Sequence, residues 1–339
     1  MEKYMRRALR LAYNGYGFVS PNPMVGAVIA GPDGQIIGEG WHRAYGGPHA
    51  EVNAVASVNE HDRALFPEST IYVTLEPCSH YGKTPPCAKL LTECGFKRVV
   101  VGAGDPNPKV AGRGIAMLRD AGIEVVEGVL ETECRLINKR FMTAHALRRP
   151  FVTLKWAQSA DGFMDVCRKS GSEAARFSTP LSSRKVHERR ACHDAIAVGA
   201  ATVLADSPRL DTRHVAGRSP RPVVFDRHGI AAGAPLLSDA RNTVYVNSDA
   251  ALDETLSQLY SSENITSLMV EGGASLLQSF LDAGLWDEAY VEVARFSLGD
   301  RGAVPAPVMP CAPVDSMACD GNKVYRYTSA VFRSLFPQP

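Results

Sequence analysis

Charge of one sign is what this sequence lacks most plainly. Its 37 Lys and Arg stand against 36 Asp and Glu in 339 residues, a formal net charge of +1. No long-range basic field follows, so nucleic acid is not an expected partner. Long apolar runs are also missing: none approaches the ~18 residues of a membrane span. The start, Met1-Glu2-Lys3-Tyr4-Met5-Arg6-Arg7, has no apolar signal core, and a cytoplasmic location is expected. Aromatic residues make up only 8%, against the aromatic, basic groove that a nucleic-acid strand needs. Repeats and low-complexity tracts are absent. What is there is ordinary globular composition, 45% hydrophobic and 22% charged, which excludes a disordered chain. At about 150 residues per domain the length implies two domains.

Eight cysteines are present. Without a secretion signal, reduced thiols or metal ligands are expected rather than bridges. Only Cys78 and Cys87 lie close together among Gly, Pro and polar residues; Cys94, Cys134, Cys167, Cys192, Cys311 and Cys319 read as small apolar residues.

Hydrophobic periodicity gives strands and helices in alternation, the pattern of layered α/β domains. In the first half it predicts strand Met24–Ala30, a turn at Gly31–Gly34 and a second strand through Ile37. Helix His49–Val58, strand Ile71–Leu75, helix Ala88–Glu93 closed by Gly95 and strand Arg98–Gly102 follow. Helix Ile115–Ala121, strand Glu124–Glu127 and helix Glu131–Ala146 complete it. Leu147-Arg148-Arg149-Pro150 then marks a seam, giving domains 1–147 and 148–339. The second half reads as strand Phe151–Lys155, helix Ser182–Ala191, then strands Ala195–Val198, Pro222–Phe225, Thr243–Val246 and Ser267–Val270. Helix Ser275–Ala283, strand Glu288–Val293 and a β-rich tail Lys323–Phe332 end the chain.

His49-Ala50-Glu51 opens a helix, and Pro77-Cys78 follows a strand, with Cys87 nine residues on. One imidazole and two thiolates give Zn²⁺ three protein ligands and leave the fourth position for water, the catalytic arrangement. Glu51, two residues after His49, reaches that position without being a ligand. This is the H-x-E…P-C…C signature of zinc deaminases, in which the glutamate moves protons during attack of an activated water on an amidine carbon. A non-catalytic zinc module is the alternative; three ligands and a spare glutamate argue against its closed four-ligand site. The long Cys78–Cys87 loop carries Lys83, a cation suited to an anionic substrate.

Thr74-Leu75-Glu76-Pro77-Cys78-Ser79-His80 followed by Gly82-Lys83-Thr84-Pro85-Pro86-Cys87 resembles the deaminase half of the bifunctional riboflavin biosynthesis deaminase/reductase family. So do Pro21-Asn22-Pro23-Met24-Val25-Gly26, Gly38-Glu39-Gly40-Trp41-His42 and Asp105-Pro106-Asn107-Pro108. The nine-residue cysteine separation favours this family over cytidine or tRNA-adenosine deaminases. The resemblance implies a cytidine-deaminase-like three-layer α/β/α domain, with zinc on His49, Cys78 and Cys87 and Glu51 as proton shuttle. It implies substrate contacts at Asn22, His42, Lys83, Asp105 and Asn107.

In the second half, Met269-Val270-Glu271-Gly272-Gly273-Ala274-Ser275-Leu276-Leu277 reads as strand, glycine turn and helix. Free N–H groups at such a helix start suit a phosphate. The motif is not G-x-G-x-x-G, so any nicotinamide cofactor sits on a scaffold other than a Rossmann domain. Arg149–Lys155, Ser159-Ala160-Asp161-Gly162, His193–Ile196 and Thr202–Leu210 with Arg213 are similar to the same family's reductase. That similarity implies a dihydrofolate-reductase-like α/β fold that uses NADPH to open a ribose into a ribityl chain, and a homodimer through this domain. It implies cofactor contacts at Ala157, Thr202, Asp206, Arg227, Gly273, Ala274, Ser275, Leu276, Leu277, Gln278 and Ser279, and substrate contacts at Lys155, Arg190, Leu210, Arg213 and Glu271. Arg190 and Arg213 are expected to fork onto a sugar phosphate and Glu271 to hold a ribose hydroxyl.

The sequence departs from the family pattern at Ala160, at Ser207 and at Arg176-Phe177-Ser178, where the family has Trp-Ile-Thr. The expectation is a two-domain enzyme that deaminates a diaminopyrimidinone ribosyl phosphate and then reduces its ribose. The alternatives are a deaminase whose second domain has lost reduction, and a zinc deaminase acting on another nucleotide or on nucleic acid.

Overall fold

A computed structural model describes residues 1–80, 85–107, 111–168 and 173–337. The chain divides into two compact units, Met1–Leu147 and Arg148–Pro339.

The first unit is built on strands β1 (Gly26–Ala30), β2 (Ile36–Trp41), β3 (Thr70–Leu75), β4 (Arg98–Ala103) and β5 (Glu124–Val126), in the order β2-β1-β3-β4-β5. β1 runs antiparallel to both neighbours, and β3, β4 and β5 are parallel. Helix α1 (Glu2–Ala12) covers one face, where Tyr4 meets Tyr72 at 4.8 Å between ring centroids. Helices α2 (Ala50–Ala56), α3 (Cys87–Cys94) and α4 (Arg113–Asp120) cover the other. There Ala54, Leu91, Ile115 and Leu118 join Ala27, Ile29, Ile71, Val73, Val99 and Val101 in one core. Layers on both faces make the expected three-layer sandwich. α2 lies directly on β2: a Cβ on Gly40 would stand 2.3 Å from the Ala54 nitrogen. Only glycine permits that approach, and it fixes the height of the helix start.

Periodicity predicted one helix from Glu131 to Ala146; the structure has two, α5 (Glu131–Ile137) and α6 (Lys139–Leu147). Asn138 interrupts them. Buried at 3% exposure, its side chain accepts from Met24 N (2.8 Å) and donates to Met24 O (2.9 Å), clasping the segment before β1.

The second unit contains β6 (Phe151–Gln158), β7 (Phe163–Val166), α7 (Pro180–Ala191), β8 (Ala195–Gly199), α8 (Ala200–Asp206), β9 (Arg221–Phe225), β10 (Val244–Val246) and α9 (Leu252–Ser261). These are followed by β11 (Ser267–Gly272), α10 (Ala274–Asp282), β12 (Glu288–Val293), β13 (Gly302–Pro305), β14 (Asp315–Cys319), β15 (Asn322–Thr328) and α11 (Ala330–Leu335). The main sheet has the order β10-β9-β8-β11-β6-β12-β15-β14. Its strands are parallel from β10 to β12, then antiparallel at β15 and β14. β7 and β13 form a separate antiparallel pair. Val152, Leu154 and Trp156 of β6 pack with Val270, Leu277, Phe280, Ala289 and Val291 in the larger core. The tail, expected to be β-rich through Phe332, turns helical at α11, because Ser329 caps that helix by accepting from Phe332 N at 3.0 Å.

From β8 the chain moves outward to β9 and β10, whereas from β11 it returns across β6 to β12. The order therefore switches direction between β8 and β11, and the carboxyl ends of the strands at such a switch are the usual ligand position in these sheets.

Candidate active sites

His49 caps α2 in extended conformation (φ −72°, ψ 167°), so its side chain leaves the helix while Glu51 stands in the first turn. Cys78 is the third residue past β3, and Cys87, after Pro85-Pro86, is the first residue of α3. His49 Nδ1 lies 3.6 Å from Cys78 Sγ and 3.3 Å from Cys87 Sγ, and the three ligand atoms all fall within 4.8 Å of one another. Bonds of ~2.0 Å to nitrogen and ~2.3 Å to sulfur at tetrahedral angles put ligand atoms about 3.5–3.8 Å apart. The side chains present therefore fit a tetrahedral zinc ion.

Hydrogen bonds from the Cys87 thiol, His49 and the Cys87 N–H hold Cys78 down at about 4, whereas Cys87, donating to Cys78 and buried, is pushed up. Glu51 is 3% exposed, and burial pushes its carboxyl up to about 7 against the pull of His49 and Cys87.

His42, one residue past β2, is buried. Its Nδ1 donates to Pro48 O (3.0 Å), which leaves Nε2 to accept from the Asn22 amide (3.1 Å). Burial holds its imidazole below the ordinary value, and its ring meets the His49 ring edge-on at 5.5 Å. Asn22 and His42 thus form one hydrogen-bonded pair beside the ligand His49. Asp105 accepts from Asn107 N (2.8 Å), closing a turn beyond β4, and burial raises its carboxyl to about 6. Lys83 lies outside the described residues.

In the second unit, Gly273 (φ +80°) precedes α10, whose first turn has no side-chain cap. Its backbone donors are open to an anion. A Cβ on Gly273 would sit 3.3 Å from Thr202 Oγ1, so Thr202 and the glycine turn meet beyond the carboxyl ends of β8 and β11. Of the other cofactor candidates, Leu277 is fully buried in the core. Gln278 accepts from Val308 N (3.0 Å) and donates to Asp282 (2.7 Å), and the Ser279 hydroxyl donates to Leu276 O (2.7 Å). Asp206 ends α8 and accepts from Arg168 at 2.6 Å. Arg227 is largely exposed, 3.6 Å from Asp249.

The substrate candidates are arranged differently from the expectation. Arg190 does not present a free fork: Nε and Nη2 donate to the two Glu271 oxygens at 2.7 and 2.6 Å, and Nη1 donates to Asp211 O at 2.9 Å. The pair is nearly buried, at 12% and 9% side-chain exposure. Lys155 sits beside it between Glu271 and Glu292, its ammonium pushed below the ordinary lysine value by burial. Leu210 is a core residue in left-handed conformation (φ +50°), its carbonyl taken by Arg241. Arg213 pairs with Asp211, and its N–H donates to His187 Nδ1 at 3.2 Å.

Sequence reasoning missed Glu292. It accepts from Ser178 (2.6 Å) and Asn322 (2.7 Å), and with Lys155, Ser182, Arg189 and Tyr290 it lines a narrow cleft under α7. The segment that departs from the family pattern is anchored here. Phe177 packs with Ala157, Ala294 and Leu298, while the Arg176 side chain points to solvent.

An α/β/α sandwich with a His/Cys/Cys cluster beside a buried glutamate defines a zinc-dependent deaminase, here joined to a reductase domain of the NADPH-dependent kind. Residues 1–103 match the cytidine and deoxycytidylate deaminase zinc-binding region, and residues 150–318 match the RibD C-terminal domain. The riboflavin biosynthesis protein RibD of Actinobacillus pleuropneumoniae is 39% identical over 329 residues, 88% of this chain and 85% of that protein. The Aquifex aeolicus RibD is 38% identical over 334 residues, covering 89% and 90%.

Among solved structures, Acinetobacter baumannii RibD superposes with a TM-score of 0.86 at 32% identity, covering 97% of this chain and 98% of that one. The Thermotoga maritima diaminohydroxyphosphoribosylaminopyrimidine deaminase/5-amino-6-(5-phosphoribosylamino)uracil reductase gives 0.85 at 36% identity over the same shares. The chain belongs to the RibD family: it is a bifunctional deaminase and reductase of riboflavin biosynthesis. Among the described residues no helix is long and apolar enough to cross a membrane.

Proposed function

We propose that residues 1–147 hydrolyse the 2-amino group from 2,5-diamino-6-(5-phosphoribosylamino)pyrimidin-4(3H)-one, and that residues 148–339 then reduce its ribosyl chain to ribityl. The observation that carries the first step is the His49, Cys78 and Cys87 cluster with Glu51 buried on the same helix turn. Zinc held there supplies an activated water at neutral pH. Glu51 takes a proton from the nucleophile and returns it to the departing amine, a role for which its buried place on the first turn of α2, two residues past His49, is suited. Asn22, its amide fixed on Nε2 of neutral His42, offers its carbonyl oxygen to the pyrimidine edge, and Asp105, Asn107 and Lys83 hold the remainder of the substrate.

For the second step, NADPH supplies the hydride. The open first turn of α10, from Gly273 to Leu276, and Thr202 receive its phosphates, with Asp206, Arg227 and Ala157 along its length. Lys155, Arg213 and the Arg190–Glu271 pair face the ribosyl phosphate; Arg190 orients Glu271 rather than gripping phosphate directly. The enzyme works as a homodimer through the second domain, in the cytoplasm, on a small molecule and not on nucleic acid.

Incubating the zinc-loaded protein with the substrate, with and without NADPH, and weighing the products tests both steps. The expected result is deamination alone without NADPH and deamination plus reduction with it. No mass change in either tube refutes the assignment. Sedimentation at micromolar concentration tests the dimer.

A further inference from the structure

Glu76 lies two residues before Cys78 and is 4% exposed, yet neither the zinc cluster nor the substrate pair uses it. Its N–H donates to Ala103 O (2.9 Å), continuing the β3–β4 register. Its side chain turns to the segment after β4. Oε2 accepts from Asp105 N (3.3 Å) and Gly112 N (3.0 Å), and Oε1 accepts from Gly114 N (3.0 Å). Gly112, the residue capping α4, has no side chain to offer that helix. Glu76 takes the place of the missing cap, and its charge suits the positive end of the helix. The helix also rests on the ligand strand itself: a Cβ on Gly114 would stand 2.0 Å from Pro77 O, the carbonyl next to Cys78. One carboxylate therefore locks three things together: the strand end bearing Cys78, the turn closed by Asp105 and Asn107, and the start of α4.

We propose that Glu76 is a positioning residue for deamination, setting the register between Cys78 and the Asp105–Asn107 turn so that substrate held by the turn meets the reacting centre. This rests on the reading of Asp105 and Asn107 as substrate contacts. A merely architectural carboxylate would, when removed, lower the folded, zinc-loaded fraction and scale kcat with it, leaving KM unmoved. A positioning carboxylate moves KM.

The test is Glu76→Gln in the full-length, zinc-loaded protein. Glutamine keeps the length but turns an amide donor toward a backbone donor. We expect one zinc per chain, kcat within about threefold, and KM for the diaminopyrimidinone ribosyl phosphate raised ~10-fold or more. Amide exchange at Gly112 and Gly114 should quicken, and reduction of the deaminated intermediate should be unchanged. Gly114→Ala, which keeps the carboxylate but drives α4 off Pro77, should give the same KM rise; it decides the matter if Glu76→Gln fails to hold zinc. Unchanged KM in both zinc-loaded variants overturns the proposal. Asp105→Ala, measured alongside, separates the two ideas. If it raises KM and the Glu76 and Gly114 variants do not, positioning by Glu76 is refuted; if it too leaves KM unchanged, the substrate role of the turn falls and the proposal with it.

Discussion

Replacing Arg190 with methionine should cost the second unit much of its stability, and should do so in a pH-dependent way. Methionine keeps the length and apolar volume of the arginine stem but removes the fork that satisfies both oxygens of Glu271 at 2.7 and 2.6 Å. Burial alone would raise Glu271; the charge and hydrogen bonds of Arg190, helped by Lys155, outweigh it and hold the carboxyl below its ordinary 4.5. Removing one partner of such a pair costs about 3–5 kcal/mol, because an uncompensated charge stays behind. Lys155 remains beside Glu271, so the lower end, ~3 kcal/mol, applies. For a unit of this size that is a fall in Tm of roughly 6–12 °C.

The pH dependence follows from the sign of the shift. In the wild type a depressed Glu271 contributes stability above 4.5 that is lost as pH falls through the folded value. In the variant, burial wins and the folded carboxyl rises above its unfolded value, so protonation relieves the fold. The gap between wild type and variant should be widest at neutral pH and close on acidification. Thermal unfolding followed by tryptophan emission suits the assay, since Trp156 and Trp286 are both buried in this unit. The double variant Arg190→Met/Glu271→Leu should recover most of the loss, since it leaves no orphaned charge. A loss under ~1 kcal/mol, or a gap independent of pH, would refute the pairing as the source of stability.

Further outcomes are expected elsewhere. Glu51→Ala should keep one zinc per chain by elemental analysis yet lose deamination by ~10²–10⁴-fold, with reduction of the deaminated intermediate intact; loss of zinc instead would make Glu51 structural. Gly40→Ala, whose Cβ would stand 2.3 Å from backbone of α2, should destabilise the first unit by about 3 kcal/mol and lower zinc occupancy, since α2 carries His49 and Glu51. Denaturant melts combined with metal analysis check both effects. Burial depresses His187 to about 4 from its ordinary 6.5. As pH falls from 6.5 toward 4 the unfolded chain takes the proton that the fold refuses, so stability is lost across that window. His187→Gln should be less stable at pH 7 but flatter below it; an unchanged slope in urea melts between those pH values would remove His187 as the cause.

The chemistry of the first unit was legible because it is local. His49 and Glu51 share one helix turn, and Cys78 and Cys87 flank one loop, so residue types and spacing carried the reading without any knowledge of packing. The strands with uninterrupted apolar runs were legible for a similar reason; β2, expected to end at Ile37, runs on through Gly38, Glu39 and Gly40 to Trp41, and β7, β13 and β14 carried no such run and were not expected. Helix α1 was not: its buried stripe is Met5, Ala8, Leu11 and Ala12, half of it alanine and surrounded by Arg and Lys. The Asn138 break was hidden because its partner, Met24, is 114 residues away. Arg190 misled by the same mechanism: its acid lies 81 residues on, in a neighbouring strand. Glu76 finds its donors 29 to 38 residues later. Pairings made by the fold leave no spacing to read.

The Asn138 clasp bears on how this chain can be cut. The recognisable deaminase region ends at residue 103, and a fragment trimmed there would keep every zinc ligand. It would also strip the Met24 N–H and carbonyl of the Asn138 side chain that bonds both, and unmoor the Pro21-Asn22-Pro23 stretch from the residue that ties it down. The smallest separable deaminase is set by that stitch rather than by the motif, and must run past Asn138, through α6, to about Leu147.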